Sequence, residues 1–571
     1  MPAINQKRWR PRVSDPKSTD SLCSTLGISP LIAKLLCNRE ISELAKAHKF
    51  LNPSISDLHD PFLMADMRPA VERILRAVAQ KERILIYGDY DVDGTTATVI
   101  LKKALELIGA NVSYYIPERL KDGYGMREEA IERAREDGFH LVISVDTGIR
   151  AHKVVEVASA IGLDVIITDH HLPEEGLPKA LAVLNPKRPD CNYPEKSLAG
   201  VGVAFKLVQG LLQSTDYPNR AKVIESFLKV VAIGTIADIV PLVGENRIIA
   251  KFGLEGLRSP NNRGLSALLD VVGLKDKTRI TCSDIGFRIG PRINAVGRMA
   301  GASAAVDLFS ASTEAEARRF AEQLNAQNIE RQQVEASIIE QIMRVIELEP
   351  QHAEGRVAVL AGEGWHRGVI GIAASKVVER IYRPTIIISI ENGMGHGSGR
   401  SIKSFHLLDG LTACDELFEK YGGHSHAAGV TIKADRIEEL RRRLNEYADR
   451  VLTDDDLMPE LEIDSDLSIS EINLDMIHEI ERLEPFGEGN PEPIFATNKA
   501  IVAGDPRVLK DKHLKFRLME HGRAVECLWW NAGSMSESIF AGDQVKVAYK
   551  LSENLFNGRT TPQMTIVDLK Y

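Results

Sequence analysis

The sequence predicts an α/β protein in which a mainly parallel sheet is joined by one long helix to a second α/β domain, with a small β-barrel after it. Three observations predict this. From residue 69 onward, amphipathic runs of helix formers alternate with short β-branched runs. Residues 313–348 contain neither glycine nor proline, and five short β-rich runs at close spacing follow residue 456. A chain of 571 residues is too long for one core, so three or four domains are expected.

Composition excludes several classes. No apolar stretch is long enough to span a bilayer, and the opening "MPAINQKRWRPRVSD" has basic residues with no apolar segment behind them. A cytoplasmic protein without a membrane partner is expected. Its six cysteines are scattered without a CxxC pair, which argues against a zinc knuckle or a disulfide framework. With a net charge of -9, the chain has no overall basic footprint, so any site for a polyanion must be local.

Residues 1–68 read as a helical segment with no motif that can be placed. In the catalytic unit, expected over 69–312, "PAVERILRAVAQKE" is a helix and "RILIYG" a buried strand. Helix "TATVILKKALELIGA", strand "NVSYYIP", helix "REEAIERAREDG", strand "HLVISVDTG", helix "AHKVVEVASAIG" and strand "LDVIITDHH" follow. This βαβ series builds a parallel sheet, whose ligands collect at the carboxyl ends of the strands. Those ends carry Asp89, Asp91 and Asp93, then Asp146, then Asp169, His170 and His171.

Residues 313–348 would form a connector of roughly 50 Å if they make one helix; two helices with an unmarked bend are the alternative. Residues 349–455 hold the second α/β unit, with strands "RVAVLAG" and "PTIIISI", a glycine loop "GMGHGSGRS" and a helix through "LLDGLTACDELFEKY". "GGHSHAAGVTI" and the helix "RIEELRRRLNEYADRVL" complete it. Residues 456–571 form the barrel, for which an OB-like fold is expected.

In "YGDYDVDGTT", strand alternation would set Asp89, Asp91 and Asp93 on one face, where their repulsion calls for a counter-charge. A hard divalent cation, Mg²⁺ or Mn²⁺, supplies it, and Mn²⁺ also accepts imidazole. Asp146, Asp169, His170, His171 and Asp238 of "IADIVPL" are the natural complement. Together they suit a two-metal centre that clamps the attacking and leaving oxygens of a phosphoester. A solvated turn is the alternative for "DYDVDG" alone. An EF-hand loop is excluded, because the twelfth position counted from Asp89 is Ile100.

The motifs "DYDVDG", "SVDTG", "TDHH", "IADIVPL" and, far downstream, "GGHSHAAG" resemble those of the DHH phosphoesterase superfamily. The full order, with "RIGPRINAVGRM" between the α/β units and a β-rich end, is similar to that of its exonucleases. The resemblance implies a DHH domain, a DHHA1-type substrate-binding domain and an OB-like domain. It implies 5′-to-3′ hydrolysis of single-stranded DNA in recombination and repair, by a monomer working with single-stranded-DNA-binding protein and a helicase. It also makes Asp91, Asp93, Asp146, His170 and Asp238 the metal ligands, with Asp146 bridging two ions and Asp89, Asp169 and His171 beside them as catalytic residues. His171 would donate to a phosphate oxygen or orient the attacking water. Arg119, Arg298, Ser398 and Arg400 are implied to hold a 5′-terminal phosphate.

Other readings come from the residues themselves. Glycines in "GHGSGRS" leave backbone donors open to an anion, and Arg400 adds a bidentate fork; a flexible loop is the alternative. His424 and His426 alternate toward one face at a strand start, within glycines that permit close approach of a phosphate backbone. Arg288, Arg292 and Arg298 make a local basic patch for the DNA backbone, or else solvated helical arginines. In the barrel, Phe516, Trp529, Trp530 and Phe556 are stacking platforms or core, and Lys510, Lys512, His513 and Lys515 could follow phosphates. Two rival functions remain, a small-substrate phosphodiesterase for short oligonucleotides or cyclic dinucleotides and a non-catalytic replisome scaffold. The β-rich domain and arginine patch speak against the first, and the complete ligand set against the second.

Overall fold

The computed structural model describes residues 7–118, 123, 125–299 and 303–571. Its first sheet has five parallel strands in the spatial order Asn111–Tyr115, Arg83–Tyr87, Phe139–Val145, Asp164–Thr168, Ala182–Leu184. These strands read as continuous apolar runs because both faces are covered. Ile84, Ile86 and Ile143 pack with the helices Val92–Leu107, Gly200–Ser214 and Arg220–Ala237, while Leu85, Tyr87 and Val142 pack with Glu128–Glu136 and His152–Ala160. Strand order reverses between Arg83–Tyr87 and Phe139–Val145, which opens a crevice at their carboxyl ends. Asp89 and Asp146 follow these two strands.

Helix Glu314–Leu348 runs unbroken for 35 residues, about 52 Å at 1.5 Å per residue. Thr313 caps its first turn through Glu316 N–H. It packs first on Arg263–Val271 and Gly290–Met299 of the catalytic unit and later on Ile370–Ile381 of the second unit. That unit has a mixed five-stranded sheet in the order Phe418–Gly423, Ala427–Lys433, Met394–Arg400, Thr385–Glu391, Ala358–Glu363. Two local expectations fail here. "MGHGSGR" is a central strand rather than a loop, and "FEKYGG" is an edge strand rather than the end of a helix.

The third sheet has seven strands, and the extra pairing of Phe495–Val502 with His513–Glu520 closes it into a barrel. Its interior is shared with the N-terminal segment. Leu22, Ile32, Leu35 and Leu36, from helices Pro16–Leu26 and Pro30–Cys37, lie in one core with Ile469, Leu514, Val547 and Met564. Strand Arg8–Pro11 pairs in parallel with Glu460–Ile463, and Trp9 Nε1 donates to Asp568 at 2.6 Å. The segment is thus part helix and part strand. Among the described residues, no helix is long and apolar enough to cross a membrane.

A buried arginine fastens this composite unit to the catalytic one. The Arg247 guanidinium lies 3.7 Å from the Phe50 ring centre and donates to the carbonyls of Phe50, Leu483, Arg482 and Glu484 at 2.9, 2.9, 3.4 and 2.8 Å. Burial, with Arg39 nearby, pulls its pKa down to about 9. The loop it grips lies against the segment after Asp238, where Leu242 N–H donates to Glu488 O at 2.7 Å. Arg247→Ala strands several buried carbonyls, each worth about 1–3 kcal/mol when unsatisfied. We expect a loss of roughly 3 kcal/mol and earlier proteolytic release of the barrel. A thermal midpoint and digestion pattern like those of the unsubstituted protein would count against this fastening.

Candidate metal centre and strand-binding surface

The three clustered aspartates do not alternate along a strand. The strand ends at Tyr87, Asp91 is the N-cap of helix Val92–Leu107, and Asp93 lies in its first turn. Asp91 Oδ1 accepts from Gly94 N–H at 2.9 Å. Gly94 is required for close approach, since a Cβ there would lie 2.6 Å from Asp89 Cβ. Turning the cluster into a helix start aims the carboxylates at the crevice from two levels.

The neighbouring strand ends complete the nest. Asp146 follows Val145 with φ of 60°, a left-handed conformation that few residues other than glycine adopt. Asp93 accepts from the N–H groups of Gly200 and Val201 at 2.6 and 2.8 Å, at the start of helix Gly200–Ser214. Asp238 ends helix Arg220–Ala237. The ligand atoms form three overlapping groups, each within 4.8 Å: Asp89, Asp91 and Asp146; Asp93, His170 and Asp238; Asp146, His170 and His171.

This arrangement is electrostatically frustrated. Burial, then the charges of Asp238 and Asp91, push the Asp93 carboxyl well above its ordinary pKa, and burial with Asp93, Asp91 and Asp89 does the same to Asp146. Burial and Asp91 raise Asp238 to about 7. Burial, then His171, lower His170 to about 3, which keeps its imidazole neutral. His170 Nε2 lies 3.3 Å from Asp146 Oδ1, 3.6 Å from Asp238 Oδ2 and 3.9 Å from Asp93 Oδ2. Neither His170 Nε2 nor Asp146 Oδ1 makes a hydrogen bond. Hard oxygens converging with an imidazole nitrogen on buried, unsatisfied atoms fit Mg²⁺ or Mn²⁺.

Asp169 is committed elsewhere. It accepts from Ile149 N–H at 2.9 Å, His170 N–H at 2.7 Å, His171 N–H at 3.1 Å and His171 Nδ1 at 2.7 Å. Burial alone would raise its pKa, but the His171 and backbone hydrogen bonds outweigh it and hold the carboxyl below its ordinary value. For His171, the hydrogen bond and charge of Asp169 overcome burial and raise the pKa.

Sequence reasoning missed three residues here. A Cβ on Gly200 would stand 2.5 Å from Asp146 Oδ1, so only glycine fits against that carboxylate. Asn185 Nδ2 donates to His171 O at 2.8 Å, and the charge of nearby Lys187 favours the ionised Asp238. For Asn185 and Lys187 the signal was present, because "AVLNPK" ends the fifth strand as "TDHH" ends the fourth.

In the second unit, Ser398 and Arg400 stand over the start of helix Ile370–Ile381. There a Cβ on Gly371 would lie 2.9 Å from Ser398 Oγ and 3.1 Å from Arg400 Nη2. Arg400 Nη1 donates to Ser398 Oγ at 3.2 Å and Gly399 O at 2.7 Å. The expected backbone cradle is absent from "GHGSGRS", because this strand is laddered on both sides. Its glycines instead admit large side chains: a Cβ at Gly395, Gly397 or Gly399 would meet Ile388, Val430 or Leu407 at 2.7, 2.5 or 2.8 Å. His424 and His426 are exposed in the turn between two strands, not alternating along one.

The basic patch is partly structural. Arg292 donates to Arg288 O at 2.8 Å and to Asn325 on the long helix at 3.3 Å, and Arg288 donates to the carbonyls of Val272 and Gly273. Arg119 lies outside the described residues, as does the side chain of Arg298. In the barrel, Phe516 and Trp529 belong to the core, which removes them as platforms. Trp530 is exposed with its ring 4.6 Å from that of His513, and Phe556 is exposed on the strand Gln544–Phe556.

Comparison with known proteins agrees with this layout. Residues 83–235 match the model of the DHH family N-terminal domain, 354–450 the DHHA1 domain and 463–568 the RecJ OB domain. The single-stranded-DNA-specific exonuclease RecJ of Bacillus subtilis is 40% identical over 567 residues, covering 99% of this chain and 71% of that protein. Its namesake from Dickeya dadantii is 34% identical across 100% of both chains. The crystal structure of RecJ in complex with Mn²⁺ from Thermus thermophilus superposes with a TM-score of 0.84 at 30% identity, covering 99% of this chain and 80% of that one. The chain therefore belongs to the RecJ family of single-stranded-DNA-specific exonucleases, built from DHH, DHHA1 and OB domains.

Proposed function

We propose that this protein removes nucleotides from the 5′ ends of single-stranded DNA by metal-dependent hydrolysis, in recombination and repair. The observation that carries the reading is the nest of buried carboxylates around His170 Nε2, in which that nitrogen and Asp146 Oδ1 make no hydrogen bond. Asp91, Asp93, Asp146, His170 and Asp238 would hold two Mg²⁺ or Mn²⁺ ions, with Asp146 shared. RecJ structures from Thermus thermophilus with Mn²⁺ and with Mg²⁺ support that choice. Bound there, the cations supply Lewis acidity toward phosphate oxygens and lower the pKa of water.

The chain's own residues then have distinct tasks. The N–H groups of Gly200 and Val201 fix Asp93, and Asp169 grips His171 by Nδ1, orienting the ring toward a phosphate oxygen or the attacking water. Ser398 and Arg400, with Arg119 and Arg298, would bind the terminal phosphate, while His424 and His426 contact the strand behind it. A terminus held beside the metals restricts cutting to the 5′ end. The same reading has the protein acting as a cytoplasmic monomer, on strands exposed by a helicase and single-stranded-DNA-binding protein. The barrel and the complete carboxylate set speak against a small-substrate phosphodiesterase and a scaffold.

Asp146→Asn removes one of the repelling charges, so in chelator this variant should unfold at or above the temperature of the unsubstituted protein. Added Mn²⁺ should raise only the unsubstituted protein's midpoint. Exonuclease activity should fall at least about a thousandfold, roughly 4 kcal/mol of transition-state stabilisation. Undiminished cleavage, or an equal Mn²⁺ shift in both proteins, would remove the metal assignment.

End chemistry gives a second test. Arg400→Ala should raise KM about 10- to 100-fold on a 5′-phosphorylated strand, the worth of one charge-assisted contact, and change it little on a 5′-hydroxyl strand. Equal effects on both strands would place Arg400 outside the phosphate site.

A further inference from the structure

The fifth strand of the catalytic sheet, Ala182–Leu184, pairs with the fourth, and the chain beyond it carries three basic residues, Lys187, Arg188 and Lys196. Two of them are committed to the fold. Arg188 donates to Asp66 and Val183 O at 2.5 and 2.6 Å, and to Asp190 at 2.9 and 2.6 Å. Lys196 Nζ donates to Pro186 O and Cys191 O at 2.9 and 2.5 Å. Lys187 is half-buried, and among the described residues its ammonium makes no hydrogen bond or ion pair.

The backbone that carries Lys187 is fixed against the carboxylate nest. Leu184 O accepts from Asp169 N–H at 3.0 Å, and the next residue, Asn185, is fully buried with both ends of its amide in use. Its Nδ2 donates to His171 O at 2.8 Å, and its Oδ1 accepts from Lys187 N–H at 2.8 Å. One buried side chain therefore sets the spacing of His171 and Lys187. From there the Lys187 charge is felt on both sides of the crevice. It favours the ionised form of Asp238, at the end of helix Arg220–Ala237, and opposes protonation of His170, just past the fourth strand. Asp238 and Asp169 in turn support the ammonium against its burial. A cation held near these carboxylates but joined to none keeps its three donors for an incoming anion.

We infer that Lys187 is a further substrate-binding residue, whose ammonium takes a non-bridging oxygen of the phosphodiester at the metal centre, beside His171. The inference rests on the nuclease reading and adds to it a charge that the metal-site residues do not supply. Asp89, Asp91, Asp93, Asp146 and Asp238 carry more negative charge than two divalent cations neutralise, so a phosphodiester approaches a centre that is still net negative. A lysine anchored only through its backbone can meet that phosphate as a compact point charge on a flexible stem. Arg188, locked between Asp66 and Asp190, cannot.

The test separates a contact with substrate from a counter-charge for the nest. Lys187→Gln should lower kcat/KM on a 5′-phosphorylated single strand about 10- to 100-fold, the worth of one charge-assisted hydrogen bond, and Lys187→Arg should recover most of the loss. Strand affinity, measured with Ca²⁺ in place of Mn²⁺ to hold off cleavage, should depend less steeply on salt in Lys187→Gln. The slope of log K against log salt should shrink by about 0.7, for one lost phosphate contact on a single strand. Mn²⁺ affinity by calorimetry should be unchanged or tighter, because a repelling cation has gone. An unchanged kcat/KM or an unchanged salt slope overturns the inference. Weaker Mn²⁺ binding also overturns it, by making Lys187 a support of the metal site alone. If Lys187→Gln unfolds at a lower temperature than the unsubstituted protein, Lys187→Met, which keeps the aliphatic stem, carries the same comparison. Failure of the unsubstituted protein to cleave the strand would instead overturn the nuclease reading.

Discussion

Repulsion among buried carboxylates is the constraint around which the catalytic unit is arranged. Asp93 and Asp146 are buried beside Asp89, Asp91 and Asp238, and each is made harder to ionise by the others. Such a cluster persists in a fold only where rigid elements leave its members no other rotamer or direction. The parallel sheet provides that rigidity, because its strand order reverses between the strands that lead to Asp89 and Asp146. Helix starts then add directed N–H groups, two of which end on Asp93. Gly94 and Gly200 are the spatial cost of packing oxygen so tightly, since any side chain there would intrude on Asp89 or Asp146.

The two adjacent histidines show how one tripeptide yields unlike groups. His170 turns inward, is kept neutral by burial, and points Nε2 at three carboxylates. His171 turns outward and is tethered by Asp169, whose oxygens are filled by backbone N–H groups and the ring. One residue suits cation binding and the other suits contact with substrate. The difference comes from hydrogen bonding and depth, not residue type.

The parallel sheet and the chemistry of its strand ends were legible in the sequence because both are local. Apolar runs followed by Asp or His mark a strand and what stands at its end within ten residues. Orientation was less legible. The spacing of Asp89, Asp91 and Asp93 suits a strand face, yet the N-cap preference of Asp91 wins and the last aspartate becomes helical. "GHGSGRS" looked like a loop because glycine is a poor strand former, but here it is selected by the bulk of Ile388 and Val430 on the flanking strands and of Leu407 on a helix packed against them. Gly200 and Arg247 gave no signal at all. Their roles depend on groups distant in sequence, Asp146 for one and the Arg482–Glu484 carbonyls for the other.

The shared core of the N-terminal helices and the barrel has a consequence for how the molecule is made. Leu22, Ile32 and Leu36 find their partners beyond residue 467. At synthesis rates of about 5–20 residues per second, they wait roughly 20–110 s after emerging from the ribosome before those partners exist. The catalytic and second α/β units, whose strands pair within their own stretches, can fold during that interval. The order of assembly is therefore inverted, with the first stretch made among the last to be buried. The apolar faces of its helices Pro16–Leu26 and Pro30–Cys37 therefore go uncovered until the barrel has been made.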